Sequence, residues 1–155
     1  MNYFDELTAS MKEFLATLKQ EYELYQNVFA LAEKERAAIT ALKMDDISAL
    51  LTQKQVLLEK AAYIDERVKS LRAVWKEAKH LIDHAVSQEI EDFLKEFSDL
   101  MQKLVSYENE NEQLFVAQNE QKEKELTSIR MAKRANKAYF GQSYKTVARN
   151  TDKRG

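Results

Sequence analysis

The chain has no cysteine, no proline and, in 155 residues, two glycines, Gly141 and Gly155. Lack of cysteine excludes disulfides, thiolate metal sites and a cysteine nucleophile, and fits a reducing compartment. Lack of proline removes the strongest interruption to a helix, since nothing locks φ or deletes a backbone donor. A first 140 residues free of glycine cannot build a phosphate-cradling loop, a G-x-S-x-G elbow or a glycine-lined oxyanion nest. No apolar run approaches the length that spans a bilayer, so stable membrane insertion is not expected. The opening MNYFDELTASMKEF has acids within a helical pattern in place of a basic and then apolar leader, so a cytoplasmic location is expected.

What remains is rich in alanine, leucine, glutamate, lysine and glutamine, all good helix formers. Apolar residues make up 45% of the chain, enough for one domain with a modest core. The net charge of −2 hides a polarity. Residues 130–155 hold eight Lys/Arg and one acid, a balance of +7, against sixteen Lys/Arg and twenty-five acids, −9, over residues 1–129.

Every seventh residue from Phe4 is apolar: Phe4, Met11, Leu18, Tyr25, Ala32, Ile39. The positions three later are Leu7, Phe14, Glu21, Val28, Glu35 and Leu42. This spacing predicts an amphipathic helix with a coiled-coil-like seam, capped by Asn2 with Asp5 three residues on. A second series, Ile47, Lys54, Ala61, Val68, Trp75 and Ile82 with Leu50, Leu57, Ile64, Leu71, Ala78 and Ala85, is apolar at eleven of twelve positions, Lys54 being the exception. The phase slips by one residue at Lys43-Met44-Asp45-Asp46 and again after Ala85. Each slip implies a short connection, with Asp45 or Asp46 capping the second helix and Ser87 the third. Short connections make neighbouring helices antiparallel.

The third series runs Ile90, Phe93, Leu94, Phe97, Leu100, Met101, Leu104, Tyr107, then fades through Asn111 and Gln118. Leu114, Phe115 and Val116 are its last strong cluster, and apolar spacing returns weakly at Ile129, Ala132, Ala135 and Tyr139. The expected architecture is all-α: an elongated antiparallel three-helix coiled-coil bundle over 1–137, with helices about 3–43, 46–85 and 88–137, and a flexible basic tail over 138–155. Tyr63, off the seam, is expected at the surface, and Trp75, on it, in the core.

Signals for chemistry are weak. His80 and His84 lie one helical turn apart, but the Glu77-x-x-His80 step has no second copy and the metalloprotease glutamate after His80 is replaced by Leu81. Neither a metal nor another cofactor is expected, and the chain reads as a non-enzyme. The basic end with Tyr139, Phe140 and Tyr144 has the residue types that pair with phosphates and stack on bases, yet the acidic body opposes a polyanion and no recognition fold is present, so no nucleic-acid partner is expected.

Three stretches in order resemble the FlgN-type flagellar export chaperone family. ISALLTQKQVLLEKA, Ile47–Ala61, resembles the opening of that family's second helix, with Lys54, Leu57 and Leu58 as its core step. ENENEQLF, Glu108–Phe115, resembles the third-helix segment through Asn111, Leu114 and Phe115, with Glu108 where the family often has another asparagine. AYFGQSYKTVARNTDKRG resembles the family's ending, with Phe140 inserted between Tyr139 and Gly141. The resemblance implies a cytoplasmic chaperone that binds hook-associated proteins, prevents their premature assembly and delivers them to the flagellar type III export apparatus. An amphipathic terminal helix of such a client suits a groove on a helical protein. Asn111, Leu114, Phe115, Leu126, Ile129 and Met131 are the expected client contacts, and Tyr139, Phe140 and Tyr144 the expected docking positions of the tail. A self-associating structural coiled coil, with Asn111 fixing its register, is the alternative.

Overall fold

The computed structural model describes residues 2–120 and 129–139, and all of their regular structure is helical. Three long helices, α1 (Tyr3–Thr40), α2 (Met44–Ala78) and α3 (His84–Asn119), are followed by a further helix, α4, described over residues 129–139. At 1.5 Å per residue the 38 residues of α1 extend about 57 Å.

Buried positions recur three and four residues apart without a break on α1 and α2. They are Met11, Phe14, Leu18, Glu21, Tyr25, Val28, Ala32, Glu35 and Ile39 on α1, and Ile47, Leu51, Lys54, Leu58, Ala61, Asp65, Val68, Arg72 and Trp75 on α2. On α3 the same rhythm takes in Ile90, Leu94, Phe97, Met101 and Leu104, then Asn111 and Phe115. A mean period of 3.5 keeps one stripe aimed at the neighbouring helices along the whole length. Side-chain pairs give the directions. Glu13 meets Arg67 while Glu35 meets Lys54, so numbers fall along α2 as they rise along α1. Against α3 they rise together, from Tyr22 on Phe93 and Tyr25 on Phe97 to Phe29 on Tyr107. The main core surrounds Phe14, Trp75 and Phe97, with Trp75 and Phe14 rings 6.4 Å apart. A smaller cluster of Ala38, Ile39, Ile47, Leu51 and Phe115 closes the end at the α1–α2 turn.

The ends of the helices differ in part from the sequence reading. Asn2 caps α1 as expected, its Oδ1 accepting from the Asp5 amide at 2.9 Å. The α1–α2 turn is a Schellman arrangement, with Lys43 N–H bonded to Ala38 O and Leu42 N–H to Ile39 O. Leu42 stands at the left-handed position, φ 55°, that glycine usually fills. Because this turn brings the chain in at Lys43, neither Asp45 nor Asp46 caps α2; both lie in its first turn, where their charge meets the helix's positive end. The second connection comes earlier than predicted. α2 ends at Ala78, and Asp83, not Ser87, caps α3, accepting from the Ala85 amide at 2.7 Å. Ser87 instead donates its hydroxyl to Lys79 O, satisfying a carbonyl freed at the α2 terminus. The third helix does not run on to 137: α3 stops at Asn119, and α4 is a separate element lying back on the bundle.

Candidate functional site

Two polar layers interrupt the apolar seam, both built on α1. The first joins Glu21 to Asp65 and Arg72 of α2. Burial first, and then the negative charge of Asp65 beside it, push the Glu21 carboxyl up to about 9, with Arg72 and Lys69 opposing. Glu21 therefore holds a proton at neutral pH. The Arg72 guanidinium also lies 5.8 Å from the centre of the Phe14 ring.

The second layer lies two heptads along α1 and draws on all four helices. Glu35 of α1 forms an ion pair with Lys54 Nζ of α2 at 2.6 Å, and Lys54 donates to both oxygens of Glu108 of α3 at 2.8 Å. Lys133 of α4 donates to the other Glu35 oxygen. Lys54, Glu35 and Lys133 are all buried. Burial alone would raise the Glu35 carboxyl, but Lys54 and Lys133 outweigh it and hold it below the usual range. For Glu108 burial wins over Lys54, and its carboxyl is raised. Burial would lower the Lys54 ammonium, yet Glu108 and Glu35 raise it. Four charges thus close on themselves, as buried charges must.

One turn along α3, Asn111 ties that helix to α1. Its amide donates to Ala32 O at 2.9 Å and its Oδ1 accepts from Arg36 Nε at 2.8 Å. Arg36 also reaches Glu110 at 2.8 Å and stacks on the Tyr107 ring at 3.6 Å. Asn111 therefore sets the register of α3 on α1 within one chain, which a self-associating seam would have required between chains.

α4 lies along α2 with its numbers rising in the same direction. Ile129 packs on the small cluster at the turn, Asn136 donates to Leu51 O at 3.4 Å, and the Tyr139 hydroxyl donates to Leu58 O at 2.5 Å. Burial, then the charges of Glu59 and Asp65, raise the Tyr139 phenol. Lys133 also stands 5.9 Å from the centre of the Phe115 ring. The most buried side chains of α4 are thus a lysine and an asparagine.

These contacts place the residues expected from sequence. Phe115 is fully buried, Leu114 is half-buried and Ile129 packs on the same cluster; Met131 is turned outward, 64% exposed. The end of α3 is consequently not the open surface that its fading seam implied, because α4 lies over it. Tyr139 belongs to α4 and not to a free tail, since its ring and hydroxyl both engage α2. Leu126, Phe140 and Tyr144 lie outside the described residues. No binding or pairing role was expected from sequence for Glu35, Glu108, Lys133 or Asn136. The available signal was the recurrence of polar residues at seam positions, Glu21 and Glu35 on one helix facing Lys54 on the next.

Away from α4, the opposite face of the α1–α2 pair has an open groove of about 690 Å³ beside Leu24, Val56, Tyr63 and Ile64. Tyr63 is 85% exposed there, as expected from its place off the seam. No cluster of three or more metal-ligating side chains occurs among the described residues, and no helix among them is long and apolar enough to cross a membrane. The family model described as FlgN protein matches residues 7–146. No curated protein and no solved structure matches the chain.

Proposed function

We propose, from the premise that this chain belongs to the FlgN family of flagellar export chaperones, that its clients are hook-associated proteins, held unassembled in the cytoplasm and delivered to the type III export apparatus. The observation that carries the reading is the family match over residues 7–146, which takes in α2, α3, the described residues of α4 and all but the first turn of α1. The body suited to that role is an antiparallel three-helix coiled coil, a reading supported by the opposed numbering of the α1–α2 pairs and the three-four spacing of buried residues on α1 and α2. Client contact centres on the end of the rod where Asn111, Leu114, Phe115, Ile129 and Met131 gather, with Leu126 completing the set. Tyr139, Phe140 and Tyr144 mark the segment that meets client or export apparatus, its cations steering the approach to acidic surfaces.

An amphipathic client helix gains affinity by laying its apolar face in a helical groove, and sequestering that face blocks its assembly with other copies. Sedimentation velocity of the chain alone and then with a hook-associated protein tests the reading. A defined complex at micromolar concentration is expected. A stable homo-oligomer that ignores the added protein rejects it in favour of a structural coiled coil.

A further inference from the structure

α4 is held in an unusual way for a packed helix. Over its described residues the buried side chains are Lys133 and Asn136, and the apolar contribution comes from Ile129 and Tyr139. Met131, Ala132 and Ala135 lie outward. With a lysine and an asparagine as its buried side chains, α4 gains little from apolar burial and depends on the specific contacts beneath it. That surface is specific. It offers the Glu35 carboxylate of α1, the Leu51 and Leu58 carbonyls of α2 and the Phe115 ring of α3. With α4 removed, Glu35 and Glu108 would face Lys54 alone, leaving the buried site one positive charge short.

We propose that α4 is a removable occupant of this groove, and that the groove's exchange partner is an amphipathic helix of an export substrate bearing a lysine or arginine and, three residues further on, a side-chain amide or hydroxyl. The partner class rests on the chaperone reading above; the groove and its occupant rest on the contacts of α4. Charge complementarity selects the incoming helix. A wholly apolar helix would bury two carboxylates against one ammonium, whereas a cation at the Lys133 position restores the balance. Outward Met131 leaves the face of α4 away from the groove free for first contact while the inward face is still engaged. Because the substrate must displace α4, its apparent affinity is reduced by the fraction of chains in which the groove is occupied.

The test uses the full chain, isotope-labelled for amide shifts, and a synthetic peptide of residues 129–139, IRMAKRANKAY. Lys133→Glu sets a carboxylate against Glu35 and should release α4. Asn136→Asp, which faces Leu51 O, is the second variant should the first lose its cooperative melt. In either variant the peptide should shift the Leu51, Leu58 and Phe115 amides, with an affinity about tenfold or more above that for the wild-type chain. The same peptide carrying glutamate at the position of Lys133 should not bind. A peptide that moves none of those amides in the variants, or moves them equally in wild type, overturns the removable occupant. A hook-associated protein should likewise bind Lys133→Glu about tenfold or more tightly than wild type. Unchanged affinity for it, with the peptide result intact, overturns the partner assignment. Failure of the wild-type chain to bind any hook-associated protein, with the peptide result intact, instead overturns the chaperone reading from which that partner was taken.

Discussion

Glu21 shows what one carboxyl can do on a heptad seam. Buried among apolar neighbours and beside Asp65, its folded pKa stands near 9 against an ordinary value of 4.5. Between those values the unfolded chain releases a proton that the folded chain keeps, so stability falls as pH rises from about 4.5 to 9. Below that window both states are protonated and the penalty vanishes. Glu21→Gln removes the titration while keeping the shape. Urea unfolding should find the variant more stable by about 2 kcal/mol or more at pH 8, with the difference shrinking toward pH 5. Glu35, on the same seam, behaves oppositely because two ammonium groups reach it. Identical residue types two heptads apart thus have opposed protonation, and the composition of each layer, not the seam position, decides which.

At the scale of the elements, most boundaries follow from local chemistry, and the exceptions have local causes. Asn2 and its partner Asp5 were legible because a side-chain cap needs only three residues of sequence. The α1–α2 turn was harder. Its Schellman hydrogen bonds place a leucine where a left-handed residue is required, and the absence of glycine concealed the motif. A non-glycine residue in that conformation costs about 1 kcal/mol or more. Leu42→Gly should relieve it, since Leu42 is 44% exposed and loses little packing. The expected gain is about 0.5–1 kcal/mol in denaturant unfolding with no change in m-value. At the second connection Asp83 took the capping role that the sequence suggested for Ser87. Both are competent caps, and the choice fell to the residue from which α3 could start while Ser87 closed the end of α2.

Across the whole molecule, stability is graded along the rod. The main cluster gathers seventeen buried residues around Phe14, Trp75 and Phe97, whereas the end near the α1–α2 turn is held by five, together with the Glu35–Lys54–Glu108–Lys133 layer. Apolar burial contributes roughly in proportion to area, and a buried ion network offsets most of its own desolvation with little surplus. Local opening should therefore begin at the turn end. Native-state hydrogen exchange is expected to show amides of α4 and of residues 111–119 exchanging about tenfold or more faster than those of residues 61–75 and 90–104. Uniform protection along α3 would contradict the gradient. The same grading puts the least stable part of the rod where α4 lies, the place where exchange for another helix demands least.

The sequence by itself determined the helical class, the heptad stripe and the burial of Trp75 beside an outward Tyr63, because periodicity and propensity are properties of the chain alone. It also carried the resemblance to an export chaperone, since order and spacing of motifs survive without coordinates. Only the tertiary structure decided that Lys54, Glu35, Glu108 and Lys133 share one layer, that Asn111 works within a single chain, and that α4 folds back over Phe115. The reason is physical: a polar residue on a seam reveals that it must find a partner, but which charge from a helix a hundred residues away satisfies it depends on register and on the return of the chain, and neither is written in the local pattern.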